Sequence, residues 1–502
     1  MLITILVYLA AMVGIGAVLA KQNQTTDDFY LGGRTLGPLV TAMSAEASDM
    51  SSWLLMGLPG VAYLSGTADA AWTAIGLAIG TYVNWLVVAK RLRNYTHVCG
   101  NSTTLPLFFS NRYRDNKRIL SVIAALLIII FFVPYTASGF AACGKLFANL
   151  FGMDYLPAML ISAIVIVAYT TLGGFLAAST TDFVQSIVMT IAIVVVFGFG
   201  ISKVGSFSAV MDNAKSMAGY FSLTHTHDVA TGTASPYSLL QIFSTLAWGL
   251  GYFGMPHVLL RFMAIGDANK LKLSRRVATV WVVISMAVSV FIGVIGNAMT
   301  KAGVLPTLKD PETIILVVAD LISKHGVLAT IIAGLILAGI LAATMSTADS
   351  QLLAASSSAS QNILKEVFMK DMSEKTGMLI ARITVLVIAL IGVFIARNPD
   401  SSVFQIVSFA WAGFGASFGP LVLLALFWKR STFQGALCGM VSGGVMVFVW
   451  KFLIRPMGGA LGIYELLPAF LLGLAVNVIV SLLTLAPSRE VQDEFDKVAS
   501  MK

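Results

Sequence analysis

Two short strings place polar and ionisable side chains inside apolar stretches, and any chemistry of this chain must be sought there. The first, SAEASDMSSWLLMGLPG from Ser44 to Gly60, carries Glu46, Asp49, several serines, two glycines and a proline. A carboxylate at the centre of a bilayer costs on the order of 2.5–3.5 kcal/mol even on a lenient insertion scale, so Asp49 is read as functional rather than as a hydrogen-bonded structural acid. Glu46 lies three residues earlier on the same helical face. Two anions there repel, so one is protonated or a cation lies nearby.

The second string, AATMSTADSQLL from Ala342 to Leu353, sets the hydroxyls of Ser346 and Thr347 beside the Ala343 carbonyl. Hard cations take such oxygen ligands. The competing reading is that each hydroxyl bonds back to the carbonyl one turn earlier; opposite an interrupted helix, the cation reading is preferred. Asp349 and Ser350 continue the face of Ser346 and suggest a second cation or proton site. Asp182 either joins that site or caps its own helix. Asp349 either belongs to it or is solvated near the inner surface. Trp53, Tyr135 (after Pro134), Trp248 and Tyr252 fall well inside their own spans or at breaks in them, where they can wall a small apolar ring or simply pack.

The elements that position these residues are membrane helices. The 502 residues are 57% hydrophobic and only 11% charged, with mean hydropathy +0.87. Soluble domains carry about 25% charge. A chain so poor in charge cannot cover a water-facing surface, so its solvent is lipid. Apolar runs predict thirteen helices, at about 2–20, 38–65, 69–89, 119–148, 156–178, 183–204, 236–261, 277–299, 326–352, 376–396, 402–428, 433–454 and 463–486. The first lacks a basic leader and is read as a retained span rather than a signal peptide.

Charge sets the orientation. With Met1 outside, about 23 of the 32 Lys and Arg residues fall on the inner side, including Lys90, Arg91, Arg93, Arg112, Arg114, Lys117 and Arg118, and then Arg261, Lys270, Lys272, Arg275 and Arg276. The N-terminus is therefore expected outside and the C-terminus in the cytoplasm. The net charge of +8 is a topology signal and implies no nucleic-acid partner.

The span holding Ser44–Gly60 has a counterpart five spans later, STLAWGLGYFGMPH from Ser244 to His257, also broken by glycines and a proline. Paired interrupted helices are the sequence pointer to an inverted-repeat transporter, and their unwound carbonyls must line a cavity or a ligand. The expected fold is an all-α integral membrane protein with a five-plus-five inverted repeat. Repeat 1 covers about 38–204 and repeat 2 about 236–428, in one transmembrane domain, with peripheral helices at about 2–20, 433–454 and 463–486.

Other chemistries lack their signatures. Gly415–Gly419 matches G-x-S-x-G without the strand-turn-helix it requires, and reads as a close-packing glycine run. No phosphate-binding G-x-x-x-x-G-K-[ST] loop occurs, so ATP is not the expected energy source. Cys99, Cys143 and Cys438 are scattered singly, and His225 and His227 lie in a polar loop. No nucleophile–base pair suggests an enzyme. A channel would need a polar stripe or filter, and a sensor would need more than the roughly 15 residues after Pro487.

The strings LGGRTLGPLVTAMSAEASDMSSWLLMGLPG, AWGLGYFGMPH, GGFLAASTTD, ILAATMSTADSQLL and FAWAGFGASFGP resemble the solute:sodium symporter family, above all its bacterial sodium/proline symporters, from about Asp27 to Pro487. The resemblance implies sodium-coupled uptake of L-proline, or of another small amino acid or carboxylate, across the cell membrane. It implies a sodium site made by the carbonyls of Ala47, Met50 and Ala343 and the hydroxyls of Ser346 and Thr347, with Asp49 as the sodium-linked acid. Trp53, Tyr135, Trp248, Tyr252 and Pro256 would line the substrate pocket, and Gly57 would leave room in it. The chain departs from the pattern at Glu46 and Ser52, where those carriers have glycine, and at Asp349-Ser350, where they have Ser-Cys. These departures bear on ion stoichiometry and substrate.

Overall fold

The computed structural model describes residues 1–20, 25–368, 373–398 and 402–501. Among them the only strands are a small hairpin, His225–His227 against Ala234–Pro236; nearly everything else is helix. Among the described residues ten helices are long and apolar enough to cross a bilayer, and Tyr155–Ala168 and Leu239–Phe253 are shorter apolar helices. Helix Glu374–Ala396 displays the solvent it was built for. Leu379, Ile383, Leu386, Leu390 and Phe394 recur at three- and four-residue spacing and are 46–69% exposed, an apolar face that only lipid would cover. The chain is a multi-pass membrane protein.

The two helices expected at about 156–178 and 183–204 follow one another within Tyr155–Val204, and the break between them lies at Gly174, with φ 63° and ψ −175°, rather than at 179–182. Glycine permits that geometry. The polar run Ser179–Asp182, which reads as a break, stays helical because its hydroxyls bond their own backbone. Thr180 donates to the Leu176 carbonyl at 2.8 Å and Thr181 to that of Ala177 at 3.0 Å.

Both interrupted segments form as expected. The first runs Pro38–Ser52, a π-helical turn Trp53–Gly57, then Leu58–Ser65, and breaks at Ser51 (φ 44°, ψ −173°). A non-glycine residue there costs about 1–3 kcal/mol and persists only where its surroundings over-determine it. The second runs Leu239–Leu246, a 3-10 turn Ala247–Phe253, then Pro256–Ala264. A β-carbon at Gly251 would collide with the Trp411 indole, so the turn depends on glycine for close approach. Leu36, just before the first segment, pairs with Ile265, just after the second, through Leu36 N–H to Ala264 O at 3.2 Å and Gly266 N–H to Leu36 O at 3.0 Å.

Helix Val327–Ser357 packs on Pro38–Ser52 and on Tyr155–Val204, while Val403–Phe427 packs on the Ala247–Phe253 turn and on helix Ile119–Phe151. The Gly415–Gly419 run lies inside Val403–Phe427, with Gly415 against Gly251 and Gly419 against Phe470, so it is the packing stripe expected of it.

Candidate ion and substrate site

The break at Ser51 is where side chains from four elements meet. Unwinding leaves the Asp49 carbonyl free, and Tyr135 of helix Ile119–Phe151 donates to it at 3.1 Å. The Ser51 hydroxyl accepts the Trp53 N–H at 3.0 Å, and the Met50 carbonyl lies at the same kink. From the second segment Tyr252 donates to Asp49 Oδ2 at 2.6 Å, while Asp49 Oδ1 is buried with no partner. The carbonyl of Tyr252, exposed by the 3-10 turn, accepts from Asn84 at 3.1 Å. The orphan groups that a broken helix creates are thus mostly answered from neighbouring elements.

Helix Val327–Ser357 brings the oxygen cluster. Ser346 Oγ lies 2.8 Å from the Ala47 carbonyl and 3.2 Å from that of Ala343, and Thr347 Oγ1 lies 3.1 Å from Ala343 O. The back-bonding anticipated as an alternative does occur at Ala343. The contact with Ala47 reaches across to the other helix, however, and gathers carbonyl and hydroxyl oxygens of two elements at one point. Such neutral, dry oxygens suit a hard monovalent cation. Ala47, Ala343 and Ser346 are fully buried and Thr347 almost so.

An aromatic box sits beside this cluster. Trp53 and Trp248 rings lie 5.5 Å apart, Phe404 stacks on Trp53 at 5.8 Å, and Tyr464 stacks on Trp248 at 5.1 Å. Trp411 donates its indole N–H to the Trp248 carbonyl at 2.8 Å and meets Tyr252 edge-on at 5.1 Å. Asp49, Met50, Trp53, Tyr135, Trp248 and Trp411 enclose a cleft of only about 10 Å³. That is room for at most one water. Gly57 and Pro256 lie off the cleft. Pro256 opens the second half of its segment, and a β-carbon on Gly57 would press on Trp53 at 3.2 Å and Phe404 at 3.3 Å.

On the far side of Phe404 a vestibule of about 440 Å³ is lined by Gly57, Gly60, Lys145, Glu312 and Gln405. Lys145 pairs with Asp310 at 2.8 Å and Glu312 at 2.9 Å. Glu312 also accepts the backbone N–H groups of Val403 and Phe404, both at 3.1 Å, and the Ser402 hydroxyl at 2.9 Å. One carboxylate therefore ties a loop to the start of helix Val403–Phe427, the favourable end for an anion. A larger polar cavity of about 890 Å³, lined by residues such as Lys117, Arg118, Lys365 and Glu366, holds none of the expected site residues.

The second acidic cluster differs from expectation in its partner. Asp182 and Asp349 are fully buried, so Asp349 is not solvated at the inner surface, and Asp182 lies well inside its helix rather than capping it. Arg261 sits among them. Its guanidinium donates to Asp182 Oδ2 at 3.1 Å, to Ser44 Oγ at 3.0 Å, to the His257 carbonyl at 3.0 Å and to Ser350 Oγ at 2.5 Å. Ser350 in turn donates to Asp349 Oδ1 at 3.1 Å, and Asp182 Oδ1 and Asp349 Oδ2 have no partner. Arg261, expected at an inner helix end, is 1% exposed and spends its charge inside the protein. A lone arginine inside HVLLRFMAIG was the available signal. Of Phe404, Trp411, Lys145 and Glu312, only Trp411, inside the FAWAGFGASFGP string, carries a signal in the sequence.

His225 and His227 belong to the hairpin, and no metal-holding group of His, Cys, Asp or Glu occurs among the described residues.

The family model for the sodium:solute symporter family matches residues 29–443. The osmoregulated proline transporter OpuE of Bacillus subtilis is 40% identical over 97% of this chain and 96% of its own length. The sodium/proline symporter of Escherichia coli is 41% identical over 99% and 95%. Among solved structures, a substrate-bound, outward-open sodium-coupled sialic acid symporter superposes with TM-score 0.78 at 19% identity, covering 97% of this chain and 98% of that one. The nucleobase-cation symporter Mhp1 in a closed conformation gives 0.53 at 12% identity, covering 94% and 98%. The fold is that of these sodium- and cation-coupled carriers, and the chain is a transporter rather than an enzyme. From its motifs, its broken helices and its full-length relatives, this chain belongs to the sodium:solute symporter family.

Proposed function

We propose that the chain imports L-proline together with sodium across the cell membrane. The observation that carries this reading is the contact of Ser346 with the Ala47 carbonyl, at 2.8 Å, directly beside the broken, aromatic-walled segment at Ser51. Relatives named sodium/proline symporters, aligned over nearly the whole chain, support the choice of substrate. In this reading Ala47, Met50, Ala343, Ser346 and Thr347 hold one sodium, and Asp49 is the acid linked to it. Trp53, Tyr135, Trp248 and Tyr252, with Trp411, close around the pyrrolidine ring, while Gly57 and Pro256 shape the approach. Each positive charge carried inward contributes about 2.3 kcal/mol per 100 mV, enough to concentrate a neutral zwitterion.

Asp182, Asp349 and Ser350, with Ser346, make a second cation site. Arg261 balances one of its two acids, which leaves charge for one cation more. Thirteen spans with the N-terminus outside, and inverted repeats at about 38–204 and 236–428, complete the reading. The pairing of Leu36 with Ile265 supports it: the start of one broken segment meets the end of the other.

The test is radiolabelled proline uptake into proteoliposomes under an imposed sodium gradient, competed with a panel of amino acids and small carboxylates. Uptake should require sodium and collapse in a sodium-free proton gradient. Equal uptake on protons alone, or stronger competition by a different solute, would replace sodium or proline in this reading.

A further inference from the structure

The polar cavity of about 890 Å³ lies apart from the ion and substrate sites, where span Ile119–Ala148 begins and span Val327–Glu366 ends. Lys117 and Arg118 stand at the first of these ends, Lys365 and Glu366 at the second. Span ends lie at the depth of lipid headgroups, not of acyl chains.

Three cations and one acid line the cavity. Glu366 meets Arg118 at 3.5 Å and offsets one positive charge. Asp115, close by in sequence, spends Oδ2 on the Ser110 hydroxyl at 3.2 Å and on the Leu120 N–H at 2.7 Å. Among the described residues Lys117 and Lys365 make no ion pair, so two positive charges face one space unbalanced. The wall also holds polar atoms with nothing to bond. Asn362 is 1% exposed; its amide N–H donates to Thr104 Oγ1 at 3.0 Å, while its Oδ1 has no partner. The Nε2 of the adjoining Gln361 is buried and likewise unpartnered. Buried polar atoms are rarely left so, and each calls for a water or a ligand.

This set of groups defines what would fill it. Two ammonium groups, a guanidinium and an amide N–H call for an anion with several acceptor oxygens, and Asn362 Oδ1 calls for a donor on the same molecule. A carboxylate offers two oxygens and one charge. A phosphate ester offers more of both, and a hydroxyl on its alcohol would answer Asn362. A zwitterion without net charge would leave both lysines unbalanced.

We propose that this cavity binds a phosphate ester carrying a free hydroxyl, at a site separate from those of the ion and the solute. Basic pockets between membrane helices take anionic headgroups by the same chemistry. A glycerol-phosphate lipid headgroup and a free glycerol phosphate share that chemistry, and the test separates them. The proposal makes no use of which solute the chain carries.

The full chain, purified in a non-ionic detergent, is mixed with phosphatidylglycerol or phosphatidylcholine, and retained lipid is counted by native mass spectrometry. In a second arm, binding of radiolabelled sn-glycerol 1-phosphate is measured without lipid by equilibrium dialysis. Lys117→Gln with Lys365→Gln removes both unbalanced charges, and Asn116→Asp sets an acid on the exposed rim. Lys272→Gln, at an exposed position on helix Leu271–Lys301, controls for loss of charge elsewhere. The unaltered protein should retain phosphatidylglycerol in preference to phosphatidylcholine. Each lysine facing an anionic headgroup contributes about fivefold, so the double variant should weaken retention on the order of tenfold or more. Asn116→Asp should weaken it as well, and decides alone should the double variant fail to fold; Lys272→Gln should leave it unchanged. The same pattern with glycerol phosphate, and none with the lipid, upholds the site and assigns it a free ester. Binding of neither probe by the unaltered protein, binding that survives in the cavity variants, or an equal loss in Lys272→Gln overturns the proposal.

Discussion

The guanidinium of Arg261 reaches Asp182 Oδ2 at 3.1 Å, both groups essentially inaccessible to solvent. One broken segment is thereby tied through a buried ion pair to the long kinked helix Tyr155–Val204. Removing one partner of such a pair strands a charge and costs about 3–5 kcal/mol. Arg261→Ala should therefore lower the thermal unfolding temperature of the purified protein sharply, and adding Asp182→Asn should restore part of the loss. Additive losses in the double variant would mean that the two side chains do not act as a pair.

The same cluster bears on ion stoichiometry. In the proposed second site Asp182 and Asp349 share a single Arg261, and a second cation would complete the charge. Asp349→Ser should lower the Hill coefficient for sodium from near two to near one, read from initial uptake rates. A coefficient near one in the unaltered protein eliminates the second site.

Tyr252 and Trp248 touch different parts of the site, so their variants should separate. Tyr252→Phe keeps the ring but removes the 2.6 Å hydrogen bond to Asp49. A hydrogen bond to a charged group contributes about 1.5–3 kcal/mol, so apparent sodium affinity should weaken roughly tenfold or more. Trp248→Ala removes a wall of the cleft and should raise the KM for proline more than that for sodium. Parallel shifts of both constants in both variants would assign these rings to gating instead.

Glu312 bridges Lys145 to the first residues of helix Val403–Phe427. Glu312→Ala breaks that tie and should loosen the vestibule. A cysteine placed at Gln405, with the exposed Cys438 replaced by serine, reports this by its rate of labelling with a membrane-impermeant thiol reagent. Labelling should quicken several-fold in Glu312→Ala; an unchanged rate would leave the bridge a purely structural contact.

The sequence by itself determined the solvent, the two broken segments and the residues with oxygen to offer a cation. Each of these is written locally: lack of charge demands lipid, glycine and proline interrupt a helix where they stand, and Ser346 and Thr347 share a turn with Ala343. Family resemblance then brought in Ala47, which no spacing along the chain could have linked to Ser346. Only the tertiary structure decided which groups face one another. Arg261 reads only as a charge at a helix end, and the fold gives it a buried partner in Asp182 from a helix distant in sequence, since a charge out of water persists only when it is paired. Ser179–Asp182 reads as a loop by polarity, yet it stays helical since its threonines find their acceptors one turn back and its aspartate finds Arg261 and Ser44. Glu312 carries no local signal, for its role exists only once a loop and the start of a distant helix meet.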